Sequence, residues 1–357
     1  MTKRAFSMGD LLQEAVRRGA SDLHLTALAT PMLRVNGQLV PIGEQVLTAD
    51  DTTGLLDEII DEQQLARLQA RGDVDFSYSF PGASRFRVNA YRQRGSVAVA
   101  VRVISPTVRS WYELGLPEVV ADLARRPDGL VIVTGPTGSG KSTTLAAMVD
   151  LINSERRCHI ITLEDPIEYL HRHKRSLVNQ REIGVDSQSF ADGLRAALRE
   201  DPDIIMVGEM RDLETVSIAL RAAETGHLVL ATLHTNDAAG TIDRLVDVFP
   251  PHQQQQIRVQ LAATLQGIIA QQLLPRADGS GRVGAYEILV ATTAVRNLIR
   301  EGKTHQIPSS IQTGARHGMK PMSGSLKELY AAGLITEEVF QQYGAEFNTG
   351  QTTAPRL

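Results

Sequence analysis

Along the first hundred residues, apolar positions alternate with polar ones, a pattern typical of half-buried strands. The segments with this alternation or with many β-branched residues are SDLHL, PMLRVNGQLVPI, DVDFSYSF, SRFRVNAYRQ and SVAVAVRVI. Helical spacing precedes them at Leu11, Leu12 and Ala15, and it interrupts them once, from about Asp50 to Arg71. The pattern predicts an α+β domain over residues 1–105.

The pattern changes after this region. Residues 106–117 contain two prolines and no sustained period, so they are expected to form a linker. Beyond them, apolar strands alternate with helical stretches over residues 118–347, which predicts a parallel sheet covered on both faces. The predicted strands are Gly129–Thr134, His159–Leu163, Ile204–Gly208 and Leu228–Leu233. The part from about Pro251 is expected to be mostly helical, and residues 348–357 to be a disordered tail. The fold class is therefore α/β.

The composition of the chain limits the classes of function that it can have. With 42% apolar and 22% charged residues, the chain is expected to be globular. The net charge of −4 argues against a general nucleic-acid binder, so no nucleic-acid partner is expected. The single cysteine, Cys158, excludes an internal disulfide framework and a four-cysteine zinc site. Since no run approaches the roughly 18 apolar residues of a membrane-spanning helix, we expect a cytoplasmic protein that meets a membrane only through a partner.

A glycine-rich loop carries the strongest chemical signal. The sequence GPTGSGKS fits the G-x-x-x-x-G-K-[ST] motif and lies between the apolar strand LVIV and the helical stretch STTLAAMVDLI. Its main-chain N–H groups are expected to form a nest for phosphate oxygens at a helix N-terminus. Lys141 would reach the β- and γ-phosphates of ATP, and Ser142 would bind Mg²⁺. The expected ATP-binding residues are Gly135, Pro136, Thr137, Gly138, Ser139, Gly140, Lys141, Ser142 and Thr143.

Carboxylates end two of the predicted strands. Glu164, Asp165 and Glu168 lie at the carboxyl end of one strand, where the ligand sites of open α/β sheets gather. Glu209 ends the strand DIIMV and matches a Walker B acid, which holds Mg²⁺ directly or through water. A solvated loop acid is the alternative for each. Convergence of several strand ends on one phosphate loop favours the Mg²⁺-ATP site.

Two histidines flank the fourth predicted strand. His234, at its carboxyl end, can approach the γ-phosphate and donate a hydrogen bond to it. The alternative, for His234 and for His227 at the other end, is a structural hydrogen bond. The spacing of the two suits neither a short metal-binding loop nor one helix turn, which argues against a zinc pair.

Arginines suggest a second place for an anion. In SRFRVNAYRQRGSVAVAVRVI a hairpin turning at Arg94 and Gly95 would set Arg87 directly opposite Arg102. Two facing cations destabilise a strand pair unless an anion or a carboxylate lies between them. We therefore expect an anion site for a nucleotide phosphate from the other domain or a neighbouring subunit, with two solvated cations as the alternative.

Arg195 and Arg199 are four residues apart and share one face of a predicted helix. They could face a phosphate or a subunit interface. Pairing with Glu200, Asp201 or Asp203 is the structural alternative.

Taken together, these motifs resemble the secretion and type IV pilus family of hexameric ATPases, and most closely its twitching-motility retraction motors, the PilT group. The resemblance covers about residues 5 to 345. The segments that carry it, besides the phosphate loop, are ASDLHL, TLEDPIEY, LREDPDIIMVGEMRD, AETGHLVLATLHT and AVRNLIREGK.

The resemblance implies a PAS-like N-terminal domain, a RecA-like ATPase domain with C-terminal helices, and a homohexamer that binds ATP and Mg²⁺. In it, Glu168 positions the attacking water and Glu209 is the Walker B acid. The other positions that match the family's site are His227, His234, Arg87, Arg102, Arg195 and Arg199.

The resemblance also implies a motor that powers pilus retraction by passing rotation between its domains to an inner-membrane platform protein. Extension and type II secretion motors usually carry a tetracysteine zinc insert, which this chain lacks. The segment AVRNLIREGK is similar to the helix associated with retraction, with Val295 where isoleucine is common. An extension or secretion motor is the alternative within the superfamily, and a DNA-translocating RecA-like ATPase is the alternative of another class.

Overall fold

The structure, a computed structural model, describes residues 6–80, 84–104 and 107–349, with the backbone alone for residues 345–349. The chain divides into two compact units. The first comprises Met1–Thr107 with Pro166–Leu170, and the second comprises Val108–Asp165 with His171–Leu357. The sequence did not predict that a short segment after residue 165 groups with the first unit. Most of the expected tail lies outside the described residues, and its first two residues end a helix.

The first unit is built on an antiparallel sheet that, among the described residues, has six strands in the order β3-β2-β1-β6-β5-β4. Its strands are β1 (Asp22–Leu25), β2 (Met32–Val35), β3 (Gln38–Pro41), β4 (Asp73–Phe80), β5 (Ser84–Gln93) and β6 (Ser96–Val103). Its helices are α1 (Met8–Arg17), α2 (Ala49–Leu56) and α3 (Glu62–Arg71). Helix α1 starts at a capping box, in which Ser7 and Asp10 bond each other's main-chain N–H.

The helical insert of this unit differs from the prediction. The stretch expected to be one helix forms α2 and α3, each with its own capping box, at Thr48 with Asp51 and at Asp61 with Gln64. Asp61 starts a new helix because its carboxylate accepts the Gln64 N–H that an uninterrupted helix would bond internally.

The hairpin β5–β6 has the predicted register. Gln93 pairs with Ser96, so Arg94 and Gly95 form the turn with φ of 47° and 80°. Both values are positive, as a two-residue type I′ turn requires. Arg87 lies directly opposite Arg102, which confirms the expected cross-strand pair.

The second unit carries a sheet of seven strands within the described part of the chain, in the order β13-β12-β7-β11-β10-β8-β9. Its strands are β7 (Gly129–Thr134), β8 (His159–Glu164), β9 (Leu177–Glu182), β10 (Ile204–Val207), β11 (Leu228–Leu233), β12 (Leu265–Pro275) and β13 (Arg282–Val290). Its helices are α4 (Glu118–Ala124), α5 (Lys141–Glu155), α6 (Phe190–Ala197), α7 (Leu213–Glu224), α8 (Ala238–Asp247), α9 (Pro251–Thr264), α10 (Thr293–Arg300), α11 (Ile307–Thr313), α12 (Met322–Ala331) and α13 (Glu337–Thr349). All neighbouring strands are parallel except β12 and β13.

The sheet is covered on both faces, as predicted. Along β7, Leu130 and Ile132 pack among the helices α6 to α11, while Val131 and Val133 pack against α4 and α5. The four predicted strands lie within one residue of their expected bounds. Among the helices that the structure describes, none combines the length and the apolar character needed to cross a membrane.

The region after Pro251 is mostly helical, but it also contains β12 and β13, which were not predicted. They form an antiparallel hairpin, and β12 also pairs with β7, so these residues extend the central sheet. The apolar run GIIA fits a buried strand or a buried helix equally well, because both conceal every side chain.

Helix α10, which contains the AVRNLIR part of the AVRNLIREGK segment, is fixed by one arginine. Arg296 donates to the carbonyl oxygens of Ala262 (2.6 Å) and Ala263 (2.7 Å) in the last turn of α9. It also donates to the Ala291 carbonyl (3.0 Å). These bonds satisfy carbonyls that have no partner inside α9, so Arg296 has a structural role whatever else the segment does.

Replacing Arg296 with alanine should therefore destabilise the second unit by about 1–3 kcal/mol, because half-buried carbonyls would lose a charged donor. Thermal unfolding measures the change. Arg300→Ala is the matched control, since Arg300 is exposed on the same helix. Equal unfolding temperatures for the two variants would contradict the capping role.

Candidate functional site

The phosphate loop leaves the carboxyl end of β7, a strand that lies between β12 and β11. Helix α5 begins at Lys141, directly after the loop. Gly135 and Gly140 have φ of 145° and 90°, values that side chains other than glycine rarely adopt. A Cβ atom at residue 135 would also collide with the main-chain oxygen of Gln271 on β12. The loop thus has the left-handed turns and the helix N-terminus of an anion-binding nest.

Three predicted side chains meet at this edge of the sheet. The Nζ atom of Lys141 lies 3.4 Å from Nδ1 of His234, and Nε2 of His234 lies 3.4 Å from Oε1 of Glu209. Lys141 also donates to the carbonyl oxygens of Gly135 (2.8 Å) and Pro136 (3.0 Å). The cation, the imidazole and the carboxylate thus form a continuous polar line beside the loop.

Glu209 has a further partner, Arg211, two residues along the chain. Its carboxylate raises the pKa of the Arg211 guanidinium above its usual value through their hydrogen bond. Glu209 therefore lies between the Arg211 guanidinium and the His234 imidazole.

Threonine hydroxyls fix the His234 segment to the phosphate-loop strand. Thr134, the last residue of β7, has its hydroxyl 2.7 Å from the hydroxyl of Thr235, which lies 2.6 Å from that of Thr241 on α8. The Thr134 hydroxyl also accepts from the Thr235 main-chain N–H (2.9 Å). The chain of hydroxyls sets where His234 stands relative to Lys141.

The residues expected to hold Mg²⁺ fit that ion. The hydroxyl of Ser142 and the carboxylate of Glu209 are hard oxygen donors, which Mg²⁺ prefers, and a P-loop ion takes its remaining ligands from phosphate and water. Within the described residues, no cluster of three or more His, Cys, Asp or Glu side chains forms a metal cage. The donor set suits an ion that arrives with a nucleotide.

The carboxylates around the end of β8 have different environments. Glu164 is buried, and it accepts hydrogen bonds from the hydroxyl of Thr162 (2.6 Å) and the amide of Gln180 (3.0 Å). Asp165 is exposed. Glu168 is exposed too and belongs to the segment that groups with the first unit. Its expected role toward the attacking water stays a prediction.

His227 does not join the cluster of Lys141, His234 and Glu209. It precedes β11, at the opposite end of the strand from His234, and its main-chain oxygen accepts from Gly129 at the start of β7. Its Nδ1 atom lies 2.9 Å from the Ala222 carbonyl oxygen. His227 therefore makes a structural hydrogen bond, which the sequence had left as the alternative to a role at the nucleotide.

The facing arginines of the first unit have carboxylates beside them. Arg102 donates to Asp22 on β1 (3.1 Å), and Arg87 lies 3.8 Å from Asp75 on β4. The expected like-charge contact is thus offset within the unit. A nucleotide phosphate at these arginines stays a prediction, because their repulsion does not require it.

Arg195 and Arg199 are also bonded, though not to the expected acids. Arg195 pairs with Asp192 (2.9 Å) and with Glu214 on α7. Arg199 donates to the main-chain oxygen of Arg195 (2.9 Å). These pairs link α6 to α7, and an added role at a subunit interface stays a prediction.

Sequence reasoning missed Glu287 on β13. Its carboxylate accepts from the N–H of Ala238 (2.9 Å), the first residue of α8, and from the N–H of Met322, the first residue of α12. Burial raises the pKa of Glu287 above its usual value. An acid inside an otherwise apolar strand, RVGAYEILV, was the signal that could have identified it.

The central parallel strand that feeds a phosphate loop, with an acid and a polar sensor at neighbouring strand ends, defines a P-loop ATPase of the RecA-like type. The family model described as "Type II/IV secretion system protein" matches residues 5–341, and the chain belongs to that family. The resemblance drawn from the motifs is thereby confirmed.

The names of individual relatives agree with this family assignment. The chain is 50% identical over 329 residues to the type IV pilus retractation ATPase PilT of Pseudomonas aeruginosa, which covers 92% of this chain and 95% of that protein. It is 48% identical over 334 residues to a twitching motility protein of Neisseria gonorrhoeae, with coverage of 94% and 89%. The crystal structure of the pilus retraction motor PilT with bound ADP matches with a TM-score of 0.88 and 51% identity, over 94% of this chain and 96% of that one.

The raised pKa of Glu287 predicts how the variant Glu287→Gln responds to pH. Burial favours the neutral form of Glu287. The stability that this form contributes is therefore fully present below the unfolded-state pKa of about 4.5, and it is lost as the pH rises through the higher pKa of the folded state. A glutamine at this position does not ionise, so its contribution to stability does not change with pH. The unfolding temperature of the variant should therefore rise relative to wild type between acidic and neutral pH.

Glu301→Gln is a control of opposite sign, because the hydrogen bond to Lys303 lowers the pKa of Glu301. The unfolding temperature of Glu301→Gln should fall slightly relative to wild type as the pH rises over the same range. A Glu287→Gln difference that stays constant with pH, measured by differential scanning fluorimetry, would contradict the assigned environment.

Proposed function

We propose that this protein is a homohexameric, Mg²⁺-dependent ATPase motor that powers type IV pilus retraction, and hence twitching motility, by acting on an inner-membrane platform protein. The observation that carries the proposal is the meeting of Lys141, His234 and Glu209 at the phosphate loop. These are the groups that phosphoryl transfer needs: a cation for the phosphates, a carboxylate for Mg²⁺ and a donor for the γ-phosphate. We place the motor in the cytoplasm, at the inner face of the membrane.

Each residue has a part in hydrolysis. Bound ATP would lay its β- and γ-phosphates on the N–H groups of the loop, and Lys141 would turn from the Gly135 carbonyl to the phosphate oxygens. Ser142 and Glu209 would hold Mg²⁺, directly or through water, and the bound ion would offset the negative charge that develops on the ADP leaving group. His234 would exchange a contact with Glu209 for the γ-phosphate, so its position depends on which nucleotide is bound.

Glu168 is proposed to position the attacking water. The remaining predicted arginines and His227 are proposed to act in the assembled hexamer. Arg87 and Arg102 would contact the phosphate of a nucleotide in the hexamer, His227 would belong to the nucleotide site, and Arg195 and Arg199 would face a phosphate or the subunit interface. The pairs with Asp22 and Asp75 are compatible with this, since exposed ion pairs are worth about 1 kcal/mol or less and exchange readily.

Retraction is favoured over extension or type II secretion by the names of the close relatives, which match this chain over nearly its whole length. A DNA-translocating ATPase has less support. The chain has a net charge of −4, whereas a translocase needs concentrated cations along its DNA path.

Lys141→Ala should abolish measurable ATP hydrolysis, lowering the rate at least about 100-fold, because the transferred phosphate would lose its main protein cation. Steady-state phosphate release measures the rate, and native mass spectrometry of the same sample measures ring size. Lys174→Ala is the control, since Lys174 pairs with Asp150 on the surface of the same unit. Full activity of Lys141→Ala, or a wild-type protein that releases no phosphate, would refute the ATPase proposal.

Arg87→Ala and Arg102→Ala should each lower turnover about tenfold or more while leaving the unfolding temperature nearly unchanged, because the pairs that they lose are exposed. Arg92→Ala removes the same charge from an exposed position on β5. If all three variants turn over ATP at the same rate, the two arginines do not serve the nucleotide.

A further inference from the structure

Gln271 is a buried polar side chain on the apolar strand β12. Only 2% of its surface is exposed, yet both ends of its carboxamide are bonded. The Nε2 atom donates to the main-chain oxygen of Ser139 in the phosphate loop (2.7 Å). The Oε1 atom accepts from the hydroxyl of Thr144 on α5 (2.8 Å).

The orientation of this amide follows from the chemistry of its partners. The Ser139 carbonyl can only accept a hydrogen bond, so the NH₂ end of Gln271 must face it. The oxygen end then faces the Thr144 hydroxyl, which donates. One side chain therefore joins the strand, the loop and the helix that follows the loop.

The bond to Ser139 also orients the next N–H group. In a planar trans peptide, the C=O of one residue and the N–H of the next point in opposite directions. Because Gln271 draws the Ser139 carbonyl toward β12, the Gly140 N–H points away from β12. That N–H belongs to the GPTGSGKS nest, whose function requires donors that converge on a phosphate.

The same strand residue touches the loop again. The main-chain oxygen of Gln271 lies against Gly135, where a Cβ atom would collide with it. The Nε2 atom lies 3.2 Å from where a Cβ of residue 140 would stand. Gln271 thus supports both the first and the last glycine of the loop.

We infer that Gln271 is a positioning residue for nucleotide binding: it holds the phosphate loop, from outside the ligand site, in the form that presents the Gly140 N–H to phosphate. The inference rests on the proposed function. It assigns no contact between Gln271 and the nucleotide.

The first test replaces Gln271 with methionine, which nearly keeps the volume and removes both hydrogen bonds. With the Ser139 peptide free to turn, affinity for a fluorescent ADP analogue should fall about tenfold, and KM for ATP should rise more than kcat falls. The control is Gln272→Met, the next residue along β12, whose side chain points to the other face of the strand. It should bind like wild type.

The second test keeps the proposal falsifiable if methionine destabilises the fold. In Gln271→Glu, an ionised carboxylate would repel the Ser139 carbonyl, whereas a protonated one can donate to it and still accept from Thr144. Burial raises the pKa of such an acid. Affinity for the ADP analogue should therefore improve, relative to wild type at the same pH, as the pH falls from 8 to 6, a response that a purely structural role would not give.

The outcomes separate the two hypotheses. Wild-type protein that binds the analogue but releases no phosphate would refute the proposed ATPase and leave the binding test of Gln271 intact. Gln271→Met with wild-type affinity, or Gln271→Glu with a reduced affinity that does not recover as the pH falls from 8 to 6, would overturn the positioning role.

Discussion

The structure of the second unit depends on one main-chain constraint. A loop that turns its N–H groups inward toward phosphate must turn its carbonyl oxygens outward, and these oxygens need partners. Here the Ser139 carbonyl bonds Gln271, and the Gly138 carbonyl lies 3.4 Å from Arg282. Both donors come from the hairpin β12–β13. The nest is therefore a property of the loop and the neighbouring hairpin together.

This dependence connects the site to the C-terminal part of the unit. Arg282 and Glu287 lie on the same strand, β13; one reaches the phosphate loop and the other bonds the first N–H groups of α8 and α12. Helix α8 in turn bonds the threonine beside His234. A shift of His234 on loss of the γ-phosphate would thus act on a helix whose N-terminus shares a carboxylate with α12. The hairpin β12–β13 thus bonds both the phosphate loop and the N-termini of α8 and α12.

The sequence predicted the elements whose signal is local. Four parallel strands, the phosphate loop and the register of Arg87 with Arg102 follow from apolar runs, a glycine motif and a two-residue turn. It did not predict β12 and β13, because the apolar pattern of a buried strand does not exclude a helix. It did not predict the roles of Gln271 and Glu287, because a single polar residue in an apolar run does not identify its hydrogen-bond partner. Those partners lie 132 and 49 positions away in the chain. Long-range hydrogen bonds are set by topology, which local pattern does not specify.

The arginines of the first unit show how far an electrostatic argument from sequence extends. Repulsion between Arg87 and Arg102 correctly indicated that negative charge lies nearby, but it could not distinguish a carboxylate from a phosphate. Asp22 and Asp75 supply that charge inside the unit. The Arg102 guanidinium has donors besides the Nε–H that bonds Asp22, so a phosphate could engage it without breaking that pair. Because the carboxylates already offset the facing cations, the repulsion between Arg87 and Arg102 gives no measure of their attraction to a nucleotide.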